Sequence, residues 1–242
     1  MRYSTARYTR DIDLCGTAAS LDDAATALIA AVQDVDLGDF LRFRLRDKED
    51  RPLGRASLRL RFDADLGGKP LSPVTIDLVV DQPLVGEPTR HQLISPVPLD
   101  GLDLWPQIRL YPIADHVADK ICAIYELHGD GRTSTRYRDL VDLVLIALRE
   151  PLDGRQVQTA LAGEVDRRIN RGTKLSLPAE FAVPGPGWRD GYRAEAALVS
   201  GLEEYRTLER AAVLAHALLD RLFAGEVVDR RWAPDRSAWL PV

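Results

Sequence analysis

Hydrophobic residues in this chain recur with one period before Pro112 and with another after it. Upstream, FLRFRLR (40–46) and ASLRLRFDAD (56–65) alternate apolar with polar, the period of a half-buried strand. The PLG between them (52–54) predicts a hairpin. SPVTIDLVVD (72–81) is a nearly continuous apolar run that reads as a central strand, broken only by Asp77. YTRDIDLC (8–15), RHQLIS (90–95) and QIRLY (107–111) add further strands. One helix, LDDAATALIAAVQDVD (21–36), interrupts them, with Ser20 placed to cap it. Downstream the period becomes helical over 114–128, 137–149, 154–170, 188–200 and 207–224. Strands first and helices afterwards define an α+β chain, with a mixed-sheet core over 1–112 and a helical domain over 113–242. The closing RRWAPDRSAWLPV has neither period, and is expected to fold back and anchor through Trp232 and Trp239.

A length of 242 residues, with 45% hydrophobic and 29% charged, suits a globular protein with a substantial core. No run approaches the roughly 20 apolar residues that span a bilayer. The first residues, MRYSTARYTRD, lack the apolar centre of an export signal, so a cytoplasmic location is expected. Two cysteines without CxxC spacing, Cys15 and Cys122, are expected to be reduced and buried. The net charge of −5 gives the whole molecule no attraction for nucleic acid. A polyanionic partner would need a local basic surface, for which Arg2, Arg7 and Arg10, then Arg132, Arg136 and Arg138, then Arg167, Arg168, Arg171 and Lys174 are candidates. Solvated helix faces explain such clusters more often.

Two groups of residues can carry chemistry. Asp11 and Asp13, two apart on a strand, share a face at a spacing of about 7 Å. Asp77, inside its apolar run, is costly to bury without a partner or a metal. Together these carboxylates offer the oxygen donors that magnesium or manganese takes. The plainer reading is that DxD is a common pattern and Asp77 begins a turn. The second group is a helical hairpin, DHVADKICAIYELHGDGRTSTRYRDLVDLVL. Val117, Ile121 and Ile124 form the apolar stripe of its first helix; Leu140, Leu143, Val144 and Ala147 form that of its second. His116 and Lys120 share a face of the first, while Asp139 and Asp142 lie together on the second. Lys120 and the two aspartates are therefore expected at a common rim. Against this stand a solvated lysine and an ordinary Arg138–Asp142 ion pair. GxSxG, HExxH, Walker-type and GxGxxG motifs are absent.

These residues resemble the AbiEii-type nucleotidyltransferase toxins of abortive-infection and toxin–antitoxin systems, within the polymerase-β-like superfamily. ARYTRDIDL matches that family's RxTxDxD stretch, Asp115 through Lys120 its Dx4K helix, and Arg136 through Asp142 its RxKDxxD helix with arginine for lysine. The resemblance covers residues 7–147. It implies metal ligation, by Mg2+ or Mn2+, at Asp11, Asp13 and Asp77. It implies catalytic roles for Asp13, Asp77, Lys120 and Asp139, and nucleotide contacts by Asp115, Lys120, Arg136, Arg138 and Asp142. The implied reaction moves a nucleoside monophosphate from an NTP to an acceptor hydroxyl, foremost the 3′ end of tRNA, with an antitoxin encoded nearby. The alternatives are transfer to a protein or small-molecule hydroxyl, and a catalytically silent module that binds RNA or protein. The family's GG or GS turn should precede Asp11 by ten or more residues, yet the first glycine here is Gly16. The expectation is that Met1 lies downstream of the native start.

Overall fold

The computed structural model describes residues 11–34, 38, 40–51, 57–80, 83–93, 107–129 and 131–242. Arg2, Arg7, Arg10 and the expected turn at 52–54 lie outside these. The chain divides into two compact units, Tyr8–Pro83 and Leu84–Val242.

The first unit follows the alternating sequence. Its elements are β1 (Ile12–Gly16), α1 (Leu21–Gln33), β2 (Leu41–Asp50), β3 (Ser57–Leu66), β4 (Lys69–Pro70) and β5 (Val74–Val80). The sheet order is β1-β5-β3-β2, with β4 on β3. β1 runs parallel to β5, and β3 is antiparallel to both β5 and β2, so the sheet is mixed. Because strand side chains alternate between faces, Leu58, Leu60 and Phe62 bury on one side of β3. Ile76 and Leu78 do the same on β5. α1 covers that side with Ala24, Ala25 and Leu28, packed on Leu14, Leu58 and Leu78. Ser20 caps α1 as expected, its hydroxyl accepting from the Asp23 amide. Asp77 is thus confirmed on a central strand, pointing away from α1. Cys15 corrects its expectation: it is exposed, because it shares the alternation of Asp11 and Asp13 and not that of Leu14.

The second unit opens with a hairpin of β6 (Thr89–Gln92) and β7 (Gln107–Leu110). The boundary expected near 112 marks the switch to helices, whereas this hairpin belongs to the same compact unit as the helices. There follow α2 (Ile113–Tyr125), β8 (Glu126–His128), β9 (Arg132–Thr133), α3 (Tyr137–Arg149), β10 (Leu152–Asp153) and α4 (Gly154–Asn170). β11 (Lys174–Leu175), α5 (Trp188–Ala196) and α6 (Leu208–Phe223) come next, then β12 (Arg230–Ala233) and β13 (Ala238–Pro241). One core runs through these helices, including Val117, Ile121, Leu140, Val144, Tyr192 and Leu218. The last segment is more regular than its sequence suggests: β12 and β13 pair antiparallel, with Trp232 opposite Trp239. Both tryptophans anchor as expected. Their indole N–H groups donate to the carbonyls of Ala147 in α3 and Leu218 in α6, at 2.7 and 2.8 Å. Burial of two large rings with satisfied donors holds a strand pair too short to persist alone. None of the described helices is long and apolar enough to cross a membrane.

Candidate active site

On the sheet face opposite α1, register brings charged residues side by side. Asp13 of β1 stands opposite Asp77 of β5, and Asp77 stands opposite Arg59 of β3. The Arg59 guanidinium donates Nε to Asp77 Oδ1 at 2.7 Å and Nη2 to Oδ2 at 2.5 Å. Its Nη2 also lies 3.8 Å from Asp11 Oδ2. Both Asp77 oxygens are therefore held in one planar fork, the geometry for which arginine is suited. The hydrogen bond to Asp77 is the main reason that the Arg59 pKa is raised. The partner that a mid-strand aspartate requires is thus an arginine. The alternation of ASLRLRF already places Arg59 on the face opposite Leu58 and Leu60. What no sequence pattern supplies is the register that sets it beside Asp77.

This arrangement bears on the expected metal. Among the described residues no three His, Cys, Asp or Glu side chains are grouped as cation ligands. Asp77 accepts from Arg59 at both oxygens, and Asp11, Asp13 and Asp77 as placed are not grouped as a three-ligand site for Mg2+ or Mn2+.

The helical hairpin forms the second charged centre. Lys120 Nζ donates to Asp139 Oδ1 at 3.2 Å and to Asp142 Oδ2 at 2.6 Å. The expected meeting of one lysine with two aspartates is present, but it is buried, since Lys120 is only 7% exposed. Burial alone would push the ammonium pKa down. The carboxylates of Asp139 and Asp142 outweigh it and hold the pKa above the ordinary lysine value. Lys120 is therefore a cation at neutral pH, and two of its three N–H donors are committed to α3.

Asp115 begins the same helix and is also buried. Its Oδ1 and Oδ2 accept from the backbone N–H groups of Val85 and Gly86, each at 2.9 Å. A Cβ at position 86 would stand 2.7 Å from Pro112 Cβ, so only glycine lets this segment approach so closely. Arg136 Nε lies 4.0 Å from Asp139 Oδ2. Arg138 donates to Glu195 of α5 at 2.8 Å, tying the two helices together. Ser134 supplies the turn's hydroxyl contact, accepting from the Arg136 amide, although no side chain caps α3 itself. His116 packs edge-on against Tyr111. Of the expected basic cluster at 167–174, Arg167 pairs with Glu164, and Arg168 binds Glu164 and Glu126 at 2.6 and 2.5 Å. Arg167 pairs within α4, Arg168 alone links α4 to Glu126 just after α2, and neither forms an outward phosphate surface. Cys122 is buried in α2, and burial pushes its thiol up to about 12.

Each unit thus carries its own charged centre, Asp13, Asp77 and Arg59 on the sheet and Lys120, Asp139 and Asp142 in the helical hairpin. The family model described as the nucleotidyl transferase AbiEii toxin, type IV toxin–antitoxin system, matches residues 1–214. The chain belongs to that family of nucleotidyltransferase toxins. Among solved structures it is similar to MenT4, a nucleotidyltransferase toxin from Mycobacterium tuberculosis. That similarity is at 17% identity over 89% of this chain and 77% of that one, with a TM-score of 0.48. No curated protein matches it in sequence.

Proposed function

We propose that this toxin transfers a nucleoside monophosphate from an NTP to the 3′-terminal hydroxyl of tRNA. The observation that supports it most is the Lys120–Asp139–Asp142 centre, in a chain whose family is that of nucleotidyltransferase toxins. The third N–H of Lys120 is available in chemistry to a triphosphate oxygen, while Asp139 and Asp142 keep the ammonium charged and aimed. Asp13 and Asp77 are the carboxylates that we assign to the acceptor hydroxyl, one accepting its proton as the new bond to phosphorus forms and pyrophosphate leaves. Arg136 and Arg138 contribute cationic surface for the triphosphate or the RNA backbone. An antitoxin encoded nearby opposes the activity, with or without forming a stable complex, in the cytoplasm.

A second reading has one observation in its favour. Asp77 is neutralised by Arg59, as it would be in a catalytically silent module that binds RNA or protein. One experiment separates the two. Each labelled NTP is incubated with the toxin and, in parallel, total tRNA, a protein extract and a panel of small-molecule hydroxyl acceptors. Label joined to tRNA through a 3′ phosphodiester supports the proposal. Label on protein or small molecule redirects the acceptor, and retention of unlabelled tRNA without transfer supports the silent module.

A further inference from the structure

The hairpin of β6 and β7 sets two arginines against each other. Its register places Arg90 directly opposite Arg109, with Gln92 opposite Gln107 on the same face. All four residues are exposed, whereas His91, Ile108 and Leu110, which alternate with them, are partly buried. Among the described residues no carboxylate pairs with either guanidinium. Like charges directly opposite one another destabilise a strand pair, and a lone two-stranded hairpin is marginal to begin with. The sheet of the first unit follows the reverse rule: Arg42 faces Asp65, Arg44 faces Asp63, and Arg61 faces Asp47.

The hairpin is held at both of its roots. Val85 and Gly86, just before β6, donate their amides to Asp115, and β7 runs through Tyr111 and Pro112 directly into α2. The Tyr111 hydroxyl donates to Asp119 Oδ2 at 3.3 Å. The two arginines are therefore mounted on the helix that bears Lys120. Their face is open to water and not enclosed, which suits a long polyanion better than a small nucleotide. Two guanidinium forks on neighbouring strands, about 5 Å apart at their Cα atoms, can bracket one phosphate. The glutamine amides on the same face add neutral donors of the kind that meet a sugar–phosphate backbone. A phosphate between the arginines offsets the repulsion that the hairpin otherwise carries.

We propose that this face is a docking surface for the sugar–phosphate backbone of the RNA acceptor, with Arg90 and Arg109 sharing a phosphate. The net charge of −5 gives the molecule at large no attraction for RNA, and this pair supplies it locally. The proposal rests on the reading of tRNA as acceptor, and adds to it the residues that hold the RNA.

The test is binding of labelled total tRNA by the full chain, followed by fluorescence anisotropy over a series of salt concentrations. Wild type, Arg90→Gln, Arg109→Gln, the double variant and Arg155→Gln are compared. Arg155 is an exposed arginine of α4 paired with Asp229, so its loss changes the net charge equally. Each single variant should bind about three- to fivefold more weakly and the double variant at least about tenfold, with the salt slope lowered by about one and about two. An unrelated single-stranded RNA should also bind the variants more weakly, since backbone contacts carry no sequence. Arg155→Gln should stay within about twofold of wild type. Melting temperatures of the hairpin variants should equal or exceed that of wild type, because a repulsion is removed. A lower melting temperature would mark a structural role and overturn the proposal. Unchanged affinity and slope in the double variant overturn it as well. So does poly-glutamate binding that depends on the two arginines while tRNA binding does not, which would assign the face to an acidic polypeptide. Transfer assays on the same preparations separate this surface from the reaction. Arginine-dependent tRNA binding without transfer by wild type removes the transfer reading and keeps the surface. Undiminished binding of tRNA and transfer to it by the double variant remove the surface alone, and no tRNA binding by wild type removes both.

Discussion

The two charged centres of this protein solve the same problem at different depths. On the sheet, Arg59 and Asp77 have side chains 19% and 27% exposed, so water shares in solvating them. In the helical hairpin, the side chains of Lys120, Asp139 and Asp142 are 9%, 13% and 17% exposed. A pair that shares its solvation with water gains little net energy. A buried set is different: removing one member strands the others in a medium that solvates them poorly. The sheet pair thus shares its charge with water, whereas the helical centre keeps one lysine charged and still.

That contrast can be broken first at Lys120. Lys120→Met should cost about 3–5 kcal/mol in urea denaturation, because two buried carboxylates lose their counter-charge. A cost near zero would show that the hairpin tolerates the aspartates alone. The pH dependence of the same variant sharpens the point. The folded-state pKa of Lys120 lies above its unfolded value. Its contribution is therefore complete below the unfolded lysine pKa of about 10.4, and is lost as pH rises through the higher folded value. The stability gap between wild type and Lys120→Met should stay constant from neutrality to about pH 10 and close only in stronger alkali. A gap that closes below pH 9 would contradict a raised pKa.

At the sheet the effect should be smaller. Arg59→Met should cost about 1 kcal/mol, the scale of a solvent-shared pair, and a loss as large as that of Lys120→Met would erase the distinction drawn above. Smallest of all is Cys15→Ser, expected within about 0.5 kcal/mol of wild type. In the folded wild-type protein a thiol reagent should label Cys15 within minutes and leave Cys122 untouched, since one is exposed and the other buried with a raised pKa. Rapid labelling of both would mean that α2 opens readily.

How far these centres were legible depends on whether local pattern or pairing register determined them. The Lys120 centre could be read in advance because helical spacing is local: Lys120 lies on one apolar-striped helix, Asp139 and Asp142 on the next, and a short turn joins them. The sheet centre was only half legible. Asp13 and Asp77 stand out as charges in strand patterns, but Arg59 joins them through a cross-strand register that alternation alone does not set. The burial expected of Cys15 failed for a related reason, because β1 turns its odd-numbered residues away from α1. β12 and β13 escaped notice since four-residue strands carry too short a pattern, and their stability comes from Trp232 and Trp239 docking on α3 and α6. Arg167 and Arg168 read as surface charge, yet both turn to Glu164, three and four residues earlier on the same helix, a local spacing that was legible, whereas the Arg168 contact with Glu126 depends on tertiary packing.

Nucleotidyl transfer is proposed to need both an acid of the sheet and an acid of the helical hairpin. It is tested most directly by adding labelled NTP and tRNA to wild type, Asp13→Asn and Asp142→Asn, with folding of each confirmed by thermal melt. Labelled tRNA 3′ ends are expected with wild type, and at least about a hundredfold slower labelling with either variant. Wild-type labelling that survives both substitutions unchanged would contradict it.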